Sequence, residues 1–431
     1  MPEASPRIVR ADVVPILISD PPLLNVLGVH QPYAPRAIVE LETDQGVSGI
    51  GETYGDSQYL GIARALADAV VGQPLTALND LPRLARLAIG DESAADREFD
   101  PGGLRGRRTN DKLVRSVVSA FEVAGFDALG KLTGLPVHAL LGGKVRDRVD
   151  YSAYLFYKWA EHPAELNAPS DDWGPALDPD GVVAQARRFV DHYGFRSFKL
   201  KGGVFPPEQE IAAVRALAAA FPGHPLRLDP NGGWSVAASV RVANELADVL
   251  EYLEDPTTGV AGMSRVHAES GARLATNMVV TSFHEIQPAF DADAVQVVLS
   301  DHHYWGGLQA TRELAAICRT WGVELSMHSN THLGISLAAM THVASVIPEL
   351  SYACDSHRPW QVEDVITEPH TFRGGAIEVS DQPGLGVELD RDALARLHER
   401  HQRHPEYHDR DDVAAMRRAE PDWTQPSLPR W

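Results

Sequence analysis

Short apolar runs alternate with longer amphipathic stretches after about residue 145, and this alternation predicts strands that are each followed by a helix. Apolar positions recur at helical spacing in the stretches 208–220, 237–247 and 308–320. The predicted strands are 149–154, 197–200, 226–228, 252–253, 274–276, 294–299, 323–327 and 350–353. Eight strands are the number that closes a parallel barrel, so we expect an α/β fold with a modified (β/α) barrel over residues 145–370.

The first 140 residues follow another pattern. Apolar and polar residues alternate between about residues 8 and 53, which predicts strands, and helical spacing follows at 58–88 and 113–132. We therefore expect an N-terminal α+β capping domain at residues 1–140. Its polar loop, residues 23–36, is either a mobile lid or a plain surface hairpin.

Glycines and prolines replace the barrel pattern after residue 370, and a helix is predicted near 391–403. We expect residues 371–431 to return to the capping domain. The stretch 404–431 is polar, and it is either packed across the surface or partly disordered.

The composition, 44% hydrophobic and 23% charged over 431 residues, matches a globular protein. A formal net charge of -20, without a long basic run, argues against a nucleic-acid surface. Only Cys318 and Cys354 are present, and no apolar run reaches ~20 residues, so we expect a cytoplasmic location and no membrane contact. A homo-oligomer is expected from the size of the fold.

Polar residues recur near the ends of the predicted barrel strands, about 23 to 28 residues apart. They are Lys201, Asp229, Glu254, Asn277, Asp301 and His328. The carboxyl ends of all strands in a parallel barrel open on one mouth, so these side chains are expected to meet in one pocket. A pocket that gathers basic, acidic and amide groups indicates an enzyme.

Asp229, Glu254 and Asn277 offer hard oxygen ligands from consecutive strands, which suits Mg²⁺, whereas zinc favours histidine or cysteine. Each residue taken alone is most often a strand-end cap or a turn residue, but the shared register favours a metal site. The amide of Asn277 adds no third negative charge, which favours a substrate with two carboxylates.

Lys199 and Lys201 alternate on one predicted strand, so their ammonium groups point the same way. Inside the pocket each would lower the pKa of the other, and Lys201 would act as a base near neutral pH. The alternative is a pair of solvated lysines on a surface strand.

Asp301 and His328 end adjacent predicted strands, so a hydrogen bond between them is expected to orient the imidazole and raise its basicity. His302 and His303 are rivals, and the alternative for His328 is a structural histidine. A metal between two proton-transfer groups suits removal of a proton α to a carboxylate through an enediolate, followed by loss of a β-leaving group.

Several motifs resemble those of the enolase superfamily. They are SFKLK at 197–201, LDPNG at 228–232, LEDP at 253–256, ATNM at 275–278 and HSNTH at 328–332. Residues 23–30 are similar to the substrate-covering loop of that superfamily, and residues 383–387 to its C-terminal return segment. The resemblance thus covers nearly the whole chain, and in combination the motifs are highly specific.

The resemblance implies that Asp229, Glu254 and Asn277 bind Mg²⁺, that Lys201 and the His328/Asp301 pair transfer protons, and that Lys199 and Asn231 support them. The implied substrate contacts are Asn25, His30, Tyr154, Ser329, His357 and Arg430. Each has a structural alternative: Tyr154 as barrel core, Ser329 as a turn cap, and His357 and Arg430 as surface residues.

The asparagine at position 277 points, within that superfamily, to dehydratases of acid sugars, with a small-molecule aldarate as substrate. Conversion of D-glucarate to 5-dehydro-4-deoxy-D-glucarate is expected. A dehydratase or epimerase for galactarate or idarate, or a noncatalytic barrel that binds a sugar acid, are the alternatives. The sequence departs from the pattern at 92–114, where Thr109 is a candidate contact, and by about one extra residue in 301–328, and both departures bear on specificity.

Overall fold

The structure of the protein is a computed structural model, which describes residues 5–90, 98–100, 108–166 and 168–431. Its N-terminal part contains the strands β1 (Ile8–Ser19), β2 (Leu24–Asn25), β3 (Gly28–Val29), β4 (Tyr33–Thr43) and β5 (Ser48–Tyr54). β1, β4 and β5 form an antiparallel sheet in which β4 is central, while β2 and β3 pair as a separate short hairpin. The strands predicted from the alternating pattern are confirmed in this region.

Helices cover one face of this sheet. The elements that follow β5 are α1 (Ser57–Val70), α2 (Leu81–Ile89), β6 (Glu98–Asp100), β7 (Arg108–Thr109), α3 (Asn110–Thr133) and α4 (Val137–Leu140). α3 approaches β5 very closely, because a β-carbon at Gly51 would lie only 2.0 Å from the Ala120 carbonyl oxygen. Thr109 caps α3, since its hydroxyl accepts from the Lys112 backbone N–H at 3.2 Å, which gives this candidate substrate residue a structural role.

Eight parallel strands form a nearly closed barrel. They are β8 (Arg148–Phe156), β9 (Phe198–Lys201), β10 (Leu226–Asp229), β11 (Leu250–Glu254), β12 (Leu274–Thr276), β13 (Val297–Ser300), β14 (Glu324–Met327) and β15 (Cys354–Ser356). The sheet order runs from β14 down to β8 and then to β15, and a parallel bridge between Leu325 and Leu350 joins its two ends. The predicted fold class is confirmed.

The last barrel strand lies beyond its predicted position. The apolar run at 350–353 predicts a strand, but the strand is Cys354–Ser356, and Asp355 pairs in register with Ser152 of β8. Polar residues at a barrel mouth interrupt the apolar pattern, so the run ends before the strand begins. Asp355 is consequently a strand residue at the mouth.

Helices alternate with the strands around the barrel. They are α5 (Pro179–Tyr193), α6 (Pro207–Ala220), α7 (Val236–Glu245), α8 (Gly259–Ser270), α9 (Phe283–Asp291), α10 (His302–Trp305), α11 (Leu308–Trp321) and α12 (Gly334–Val346). α6 shows the amphipathic pattern that predicted it, because it buries Ala213, Val214 and Leu217 against the barrel.

The chain after residue 371 packs on both parts already described. It contains β16 (Ala376–Glu378), α13 (Arg391–Arg403) and α14 (Asp412–Ala419). β16 pairs antiparallel with β8. α13 lies along β1, where His398 Nδ1 donates to the Pro15 carbonyl oxygen at 2.7 Å. The domain boundaries 1–140, 145–370 and 371–431 stay predictions.

One apolar core runs through both parts of the chain. Ile16 of β1, Val117 of α3 and Leu200 of β9 all belong to it. The burial of apolar side chains in this core is the main source of the stability of the fold. Within the ranges given above, the longest apolar stretches in helices fall short of what is needed to cross a membrane.

Candidate active site

The carboxyl ends of β9, β10 and β11 bring three of the predicted residues together. Lys201, Asp229 and Glu254 are the last residues of these strands. Asp229 pairs in register with Lys201. Both carboxylates are fully buried, and Lys201 is 6% exposed. The strand-end positions therefore place the three side chains next to each other in the barrel mouth.

Two buried lysines bridge the carboxylates of this mouth. Lys201 Nζ lies 2.7 Å from Asp229 Oδ2 and donates to the Tyr154 hydroxyl at 3.1 Å. Lys199 Nζ lies 2.6 Å from a carboxylate oxygen of Glu254 and 3.6 Å from Asp229 Oδ2. Because both ammonium groups lie inside the pocket, the alternative of solvated surface lysines is wrong.

A third carboxylate belongs to Asp355, a residue that the sequence patterns missed. Its Oδ2 accepts from Lys199 Nζ at 2.8 Å. Burial acts to lower the pKa of Lys199, but Asp355 and Glu254 outweigh burial and raise that pKa well above its ordinary value. The expected lowering by the neighbouring lysine is therefore wrong for Lys199, which remains a cation.

Asn277, directly after β12, links the carboxylates to an imidazole. Its amide nitrogen lies 3.0 Å from Glu254 Oε1 and 2.8 Å from His328 Nδ1. Asp355 Oδ2 lies 3.5 Å from the same ring nitrogen. Burial is the largest cause that lowers the pKa of His328, and the Lys199 ammonium acts in the same direction. The neutral imidazole, which can accept a proton, is thereby favoured.

Asp301 takes part in a different cluster from the predicted one. Its Oδ1 lies 2.8 Å from His303 Nδ1, and its Oδ2 lies 3.4 Å from His332 Nε2. In the described part of the chain Asp301 makes no hydrogen bond to His328, so the predicted direct pair is wrong. The cause is local: Asp301 caps α10 and accepts from the His303 backbone N–H, which turns the carboxylate toward that histidine.

Tyr154, Ser329 and His357 adjoin the carboxylate cluster. The Tyr154 hydroxyl lies 3.4 Å from Asp229 Oδ2, and its ring centroid lies 4.6 Å from that of His357. His357 Nδ1 donates to the Ser329 carbonyl oxygen at 2.9 Å. His357 is buried, so its surface alternative is wrong. The buried Ser329 hydroxyl has no partner among the described residues and can meet a ligand.

Asn231 supports Asp229 from the turn after β10. Its backbone adopts a positive φ of 48°, a conformation that asparagine tolerates better than most residues. In this turn its backbone N–H donates to Asp229 Oδ1 at 3.0 Å, and its amide nitrogen donates to Met278 Sδ at 3.1 Å. Asn231 thus fixes the orientation of one carboxylate of the mouth.

The segment 23–36 is buried around the β2–β3 hairpin and adjoins the mouth. His30 Nδ1 lies 3.1 Å from Asp20 Oδ2, and its ring centroid lies 5.8 Å from that of Phe156. Asn25 donates from its amide nitrogen to Asp412 Oδ2 at 2.8 Å. Burial of both predicted contacts shows that the hairpin is a packed cover and not a plain surface feature.

Two family models match this architecture. Residues 8–142 match the mandelate racemase / muconate lactonizing enzyme N-terminal domain, and residues 181–393 match the enolase C-terminal domain-like family. The chain is also 65% identical over 425 residues to the probable glucarate dehydratase of Streptomyces coelicolor, with 98% of this chain and 99% of that protein covered. The chain belongs to the enolase superfamily.

Solved structures of other members share the whole fold. An enolase from Mycobacterium smegmatis, crystallised with formate and acetate, matches with a TM-score of 0.94 at 54% identity over 100% of both chains. An enolase from Pseudomonas fluorescens with bound magnesium, potassium and tartrate matches with a TM-score of 0.95 at 46% identity, over 99% of this chain and 100% of that chain. The agreement over full length extends to the capping part and the C-terminal segment.

Among the described residues, no side-chain hydrogen bond joins Arg430 to another predicted substrate residue. Its Nη1 donates to the Val204 carbonyl oxygen at 3.3 Å, at the rim after β9. Another arginine, Arg410, lies beside the residue that binds Asn25: its Nη2 donates to Asp412 Oδ2 at 3.0 Å, and its Nη1 lies 3.8 Å from Asp20 Oδ2. Arg410 is a cation that the sequence patterns missed.

The donor set of the mouth fits Mg²⁺. Asp229 and Glu254 contact the ammonium of one lysine, and the Asn277 amide lies 3.0 Å from Glu254, so three oxygen-bearing side chains converge in one buried region. Half a turn of the amide presents its oxygen instead of its nitrogen. Glu254 also lies in a group with His328 and Asp355 whose ligand atoms are all within 4.8 Å of one another. Carboxylate and amide oxygens are the ligands that Mg²⁺ prefers.

Proposed function

We propose that this enolase-superfamily member is a Mg²⁺-dependent hydro-lyase that dehydrates D-glucarate to 5-dehydro-4-deoxy-D-glucarate. One observation carries the proposal: a buried carboxylate cluster lies between the Lys201 ammonium on its Asp229 side and the His328 imidazole on its Asn277 side. The similarity to the probable glucarate dehydratase of Streptomyces coelicolor supports D-glucarate as the substrate.

Proton transfer would run between Lys201 or His328 and the carbon next to a substrate carboxylate. The neutral imidazole of His328, or Lys201 in its neutral amine form, accepts the proton from that α carbon. The C–O bond at the β carbon then breaks, and the leaving hydroxide takes up a proton from the protonated member of the Lys201/His328 pair and departs as water. The resulting enol becomes the ketone at the α carbon when the β carbon is protonated, which yields the dehydro-deoxy diacid.

Asp229, Glu254 and Asn277 would hold the Mg²⁺ ion. When bound, the ion would stabilise the negative charge that develops on the substrate carboxylate as the α proton leaves. The Tyr154 hydroxyl holds Lys201 Nζ toward the cluster at 3.1 Å. Asn231, through its backbone bond to Asp229, keeps a proposed ligand in place.

The two carboxylates of the substrate must be held by nearby groups, because a net charge of -20 repels anions at longer range. Lys199, whose ammonium contacts Glu254, Asp355 and Asp229, would offset their negative charge so that one substrate carboxylate can approach the cluster. Asn25 and His30 of the hairpin, with the adjacent Arg410, would receive the other at the outer end. Ser329 and His357 would contact the hydroxyl groups between them.

Incubation of the protein with Mg²⁺ and a panel of aldarates, with keto-acid formation as the readout, tests this proposal. D-glucarate is expected to give the highest kcat/KM, and Lys201→Ala and His328→Ala are expected to lower turnover by at least ~100-fold. The absence of turnover and of α-proton exchange on every member of the panel would instead support a noncatalytic sugar-acid binder.

Epimerisation is a second activity that one observation favours. Lys201 and His328 lie on different sides of the carboxylate cluster, so a proton removed by one can be replaced by the other on the opposite face of the α carbon. Interconversion of D-glucarate and L-idarate would then accompany dehydration. Chiral analysis of unreacted substrate after partial turnover measures it.

We further propose that the protein acts in the cytoplasm as a homo-oligomer, with residues 1–140, 145–370 and 371–431 as its three structural parts. The two cysteines, Cys318 and Cys354, are buried free thiols, which suits a reducing compartment. Light scattering coupled to gel filtration measures the oligomeric state. A mass equal to that of one chain would contradict the proposal.

A further inference from the structure

α14 packs directly on the β2–β3 hairpin. Gly28 of β3 has a φ of 137°, and a β-carbon there would lie 2.7 Å from Met416 Cβ and 3.0 Å from the Asp412 carbonyl oxygen. Only glycine permits this approach of the two backbones. The segment beginning at Arg410 and running through α14 therefore forms a fixed support for the hairpin that carries Asn25.

Asp412, the first residue of α14, is the polar centre of this contact. Its side chain is 3% exposed. Its carboxylate accepts from the Asn25 amide at 2.8 Å, from Arg410 Nε at 3.1 Å and from the Gln31 backbone N–H at 3.4 Å. In return, Gln31 Oε1 accepts from the Asp411 backbone N–H at 3.1 Å. One carboxylate thus fixes Asn25 in the hairpin, Gln31 just after it and the neighbouring arginine.

The Asp412 carboxylate is charged in its buried position. Burial raises the pKa of Asp412, but the Arg410 guanidinium and then His30 lower it, and the net direction is below the ordinary value. A buried negative charge repels the carboxylates of a sugar diacid, so Asp412 is not a substrate ligand. Any effect on the substrate must pass through the groups that it holds.

A continuous series of contacts joins this support to the proposed chemistry. The His30 ring centroid lies 5.8 Å from that of Phe156, and the Phe156 centroid lies 4.6 Å from that of Tyr154. Tyr154 in turn contacts Asp229 and Lys201. A displaced hairpin would therefore alter the wall of the pocket that Phe156 and Tyr154 form. The proton-transfer groups belong to the barrel and would stay in place.

We propose that Asp412 is a positioning residue for substrate binding, which holds Asn25 and the β2–β3 hairpin over the barrel mouth. This inference rests on the proposed aldarate dehydratase function. Asp412 acts on the affinity for the diacid and on its discrimination, and it takes no part in proton transfer.

The variant Asp412→Asn tests this role, because asparagine keeps the size of the side chain and removes the charge that organises Arg410 and Asn25. Asp411→Asn is the matched control: it removes one negative charge from the adjacent exposed residue, and asparagine retains its N-cap function for α14. We expect Asp412→Asn to raise KM for D-glucarate by about tenfold, with kcat changed by less than about twofold, and Asp411→Asn to leave both unchanged.

Hydrogen–deuterium exchange of the free protein gives a readout that does not depend on turnover. Amides 24–31 are expected to exchange faster in Asp412→Asn than in the wild type or Asp411→Asn, while amides of β9 to β13 keep their protection, which separates a local effect from unfolding. Unchanged exchange at 24–31 overturns the inference, as does a loss of kcat with an unchanged KM. Absent turnover in the wild type would overturn the proposed function, whereas the exchange pattern would still decide whether Asp412 holds the hairpin.

A double-mutant cycle with Asn25→Ala tests the path of the effect. If Asp412 acts through Asn25, the double variant has nearly the same KM as the weaker-binding single variant. If the factors by which the two substitutions raise KM multiply in the double variant, the two residues act independently, and a shared path is contradicted.

Discussion

The Asn277 amide nitrogen lies 2.8 Å from Nδ1 of His328, so a proposed metal ligand and a proposed proton-transfer residue share a direct contact. The same amide lies 3.0 Å from Glu254. An uncharged side chain at position 277 therefore serves two neighbours at once, which a carboxylate could not do without adding charge beside Glu254.

Asn277→Asp is expected to separate metal binding from turnover. The new carboxylate remains an oxygen ligand for Mg²⁺, but it adds a negative charge next to Glu254 that opposes a dianionic substrate. We expect kcat/KM for D-glucarate to fall by ~100-fold, with Mg²⁺ affinity retained. Calorimetric titration with Mg²⁺ and steady-state kinetics measure the two quantities; full activity of this variant would show that the amide has no special role.

Tyr154→Phe tests the hydroxyl that contacts Lys201. The hydroxyl lies 3.1 Å from Lys201 Nζ and 3.4 Å from Asp229 Oδ2, and the ring packs against Phe156 and His357. Phenylalanine keeps the ring packing and loses the hydrogen bonds, so we expect kcat to fall by about tenfold while the melting temperature changes little. A marked fall in the melting temperature together with the fall in kcat would indicate that Tyr154 serves only as packing in the barrel core.

Two glycine substitutions test the packing of the capping part. A β-carbon at Gly51 would lie 2.0 Å from the Ala120 carbonyl oxygen of α3, so Gly51→Ala is expected to lower the free energy of unfolding by about 3 kcal/mol. Gly61 lies in α1, and a β-carbon there would have no heavy atom of the described residues within 4 Å, so Gly61→Ala is expected to raise the free energy of unfolding by ~0.5–1 kcal/mol. Urea denaturation measures both; equal effects would contradict the close approach of α3 and β5.

Glu122 predicts a pH dependence of stability. Burial raises its pKa from 4.5 to about 7, although backbone N–H groups of Leu308 and Gln309 donate to it. The folded protein holds this proton more tightly than the unfolded chain, so the stabilisation is fully present below pH 4.5 and is lost as the pH rises to about 7. Urea unfolding from pH 5 to 8 is expected to show this slope, and Glu122→Gln is expected to reduce it by an amount on the order of 3 kcal/mol across the window. If the free energy of unfolding of Glu122→Gln changed with pH as steeply as that of the wild type, the assignment of this pH dependence to Glu122 would be contradicted.

The barrel and its mouth could be predicted because both follow a repeated local rule. Each strand is an apolar run, each is followed by an amphipathic helix, and residues such as Asp229 and Glu254 stand at the strand ends. The parallel arrangement then brings these ends together without further information. Fold class and the convergence of Lys201, Asp229 and Glu254 with Asn277 needed nothing else.

Contacts made by loops and distant segments could not be predicted in this way. Asp301 turns toward His303 because it caps a single helical turn, and the strand pattern contains no signal for that orientation. Asp412 contacts Asn25 of the hairpin across 387 residues of sequence, and its sequence context predicts only the start of a helix. Asp355 was missed because the apolar run at 350–353 predicted a strand there, whereas the strand that contains Asp355 begins at Cys354.

Stereospecific exchange of the α proton in deuterated water tests the central claim most directly. Nuclear magnetic resonance follows the exchange of D-glucarate and L-idarate with the wild type, Lys201→Ala and His328→Ala in the presence of Mg²⁺. Each variant is expected to lose exchange for one configuration of the α carbon and to keep it for the other, because one base serves each face. Wild-type exchange of both diacids by either variant would contradict the assignment of these two residues.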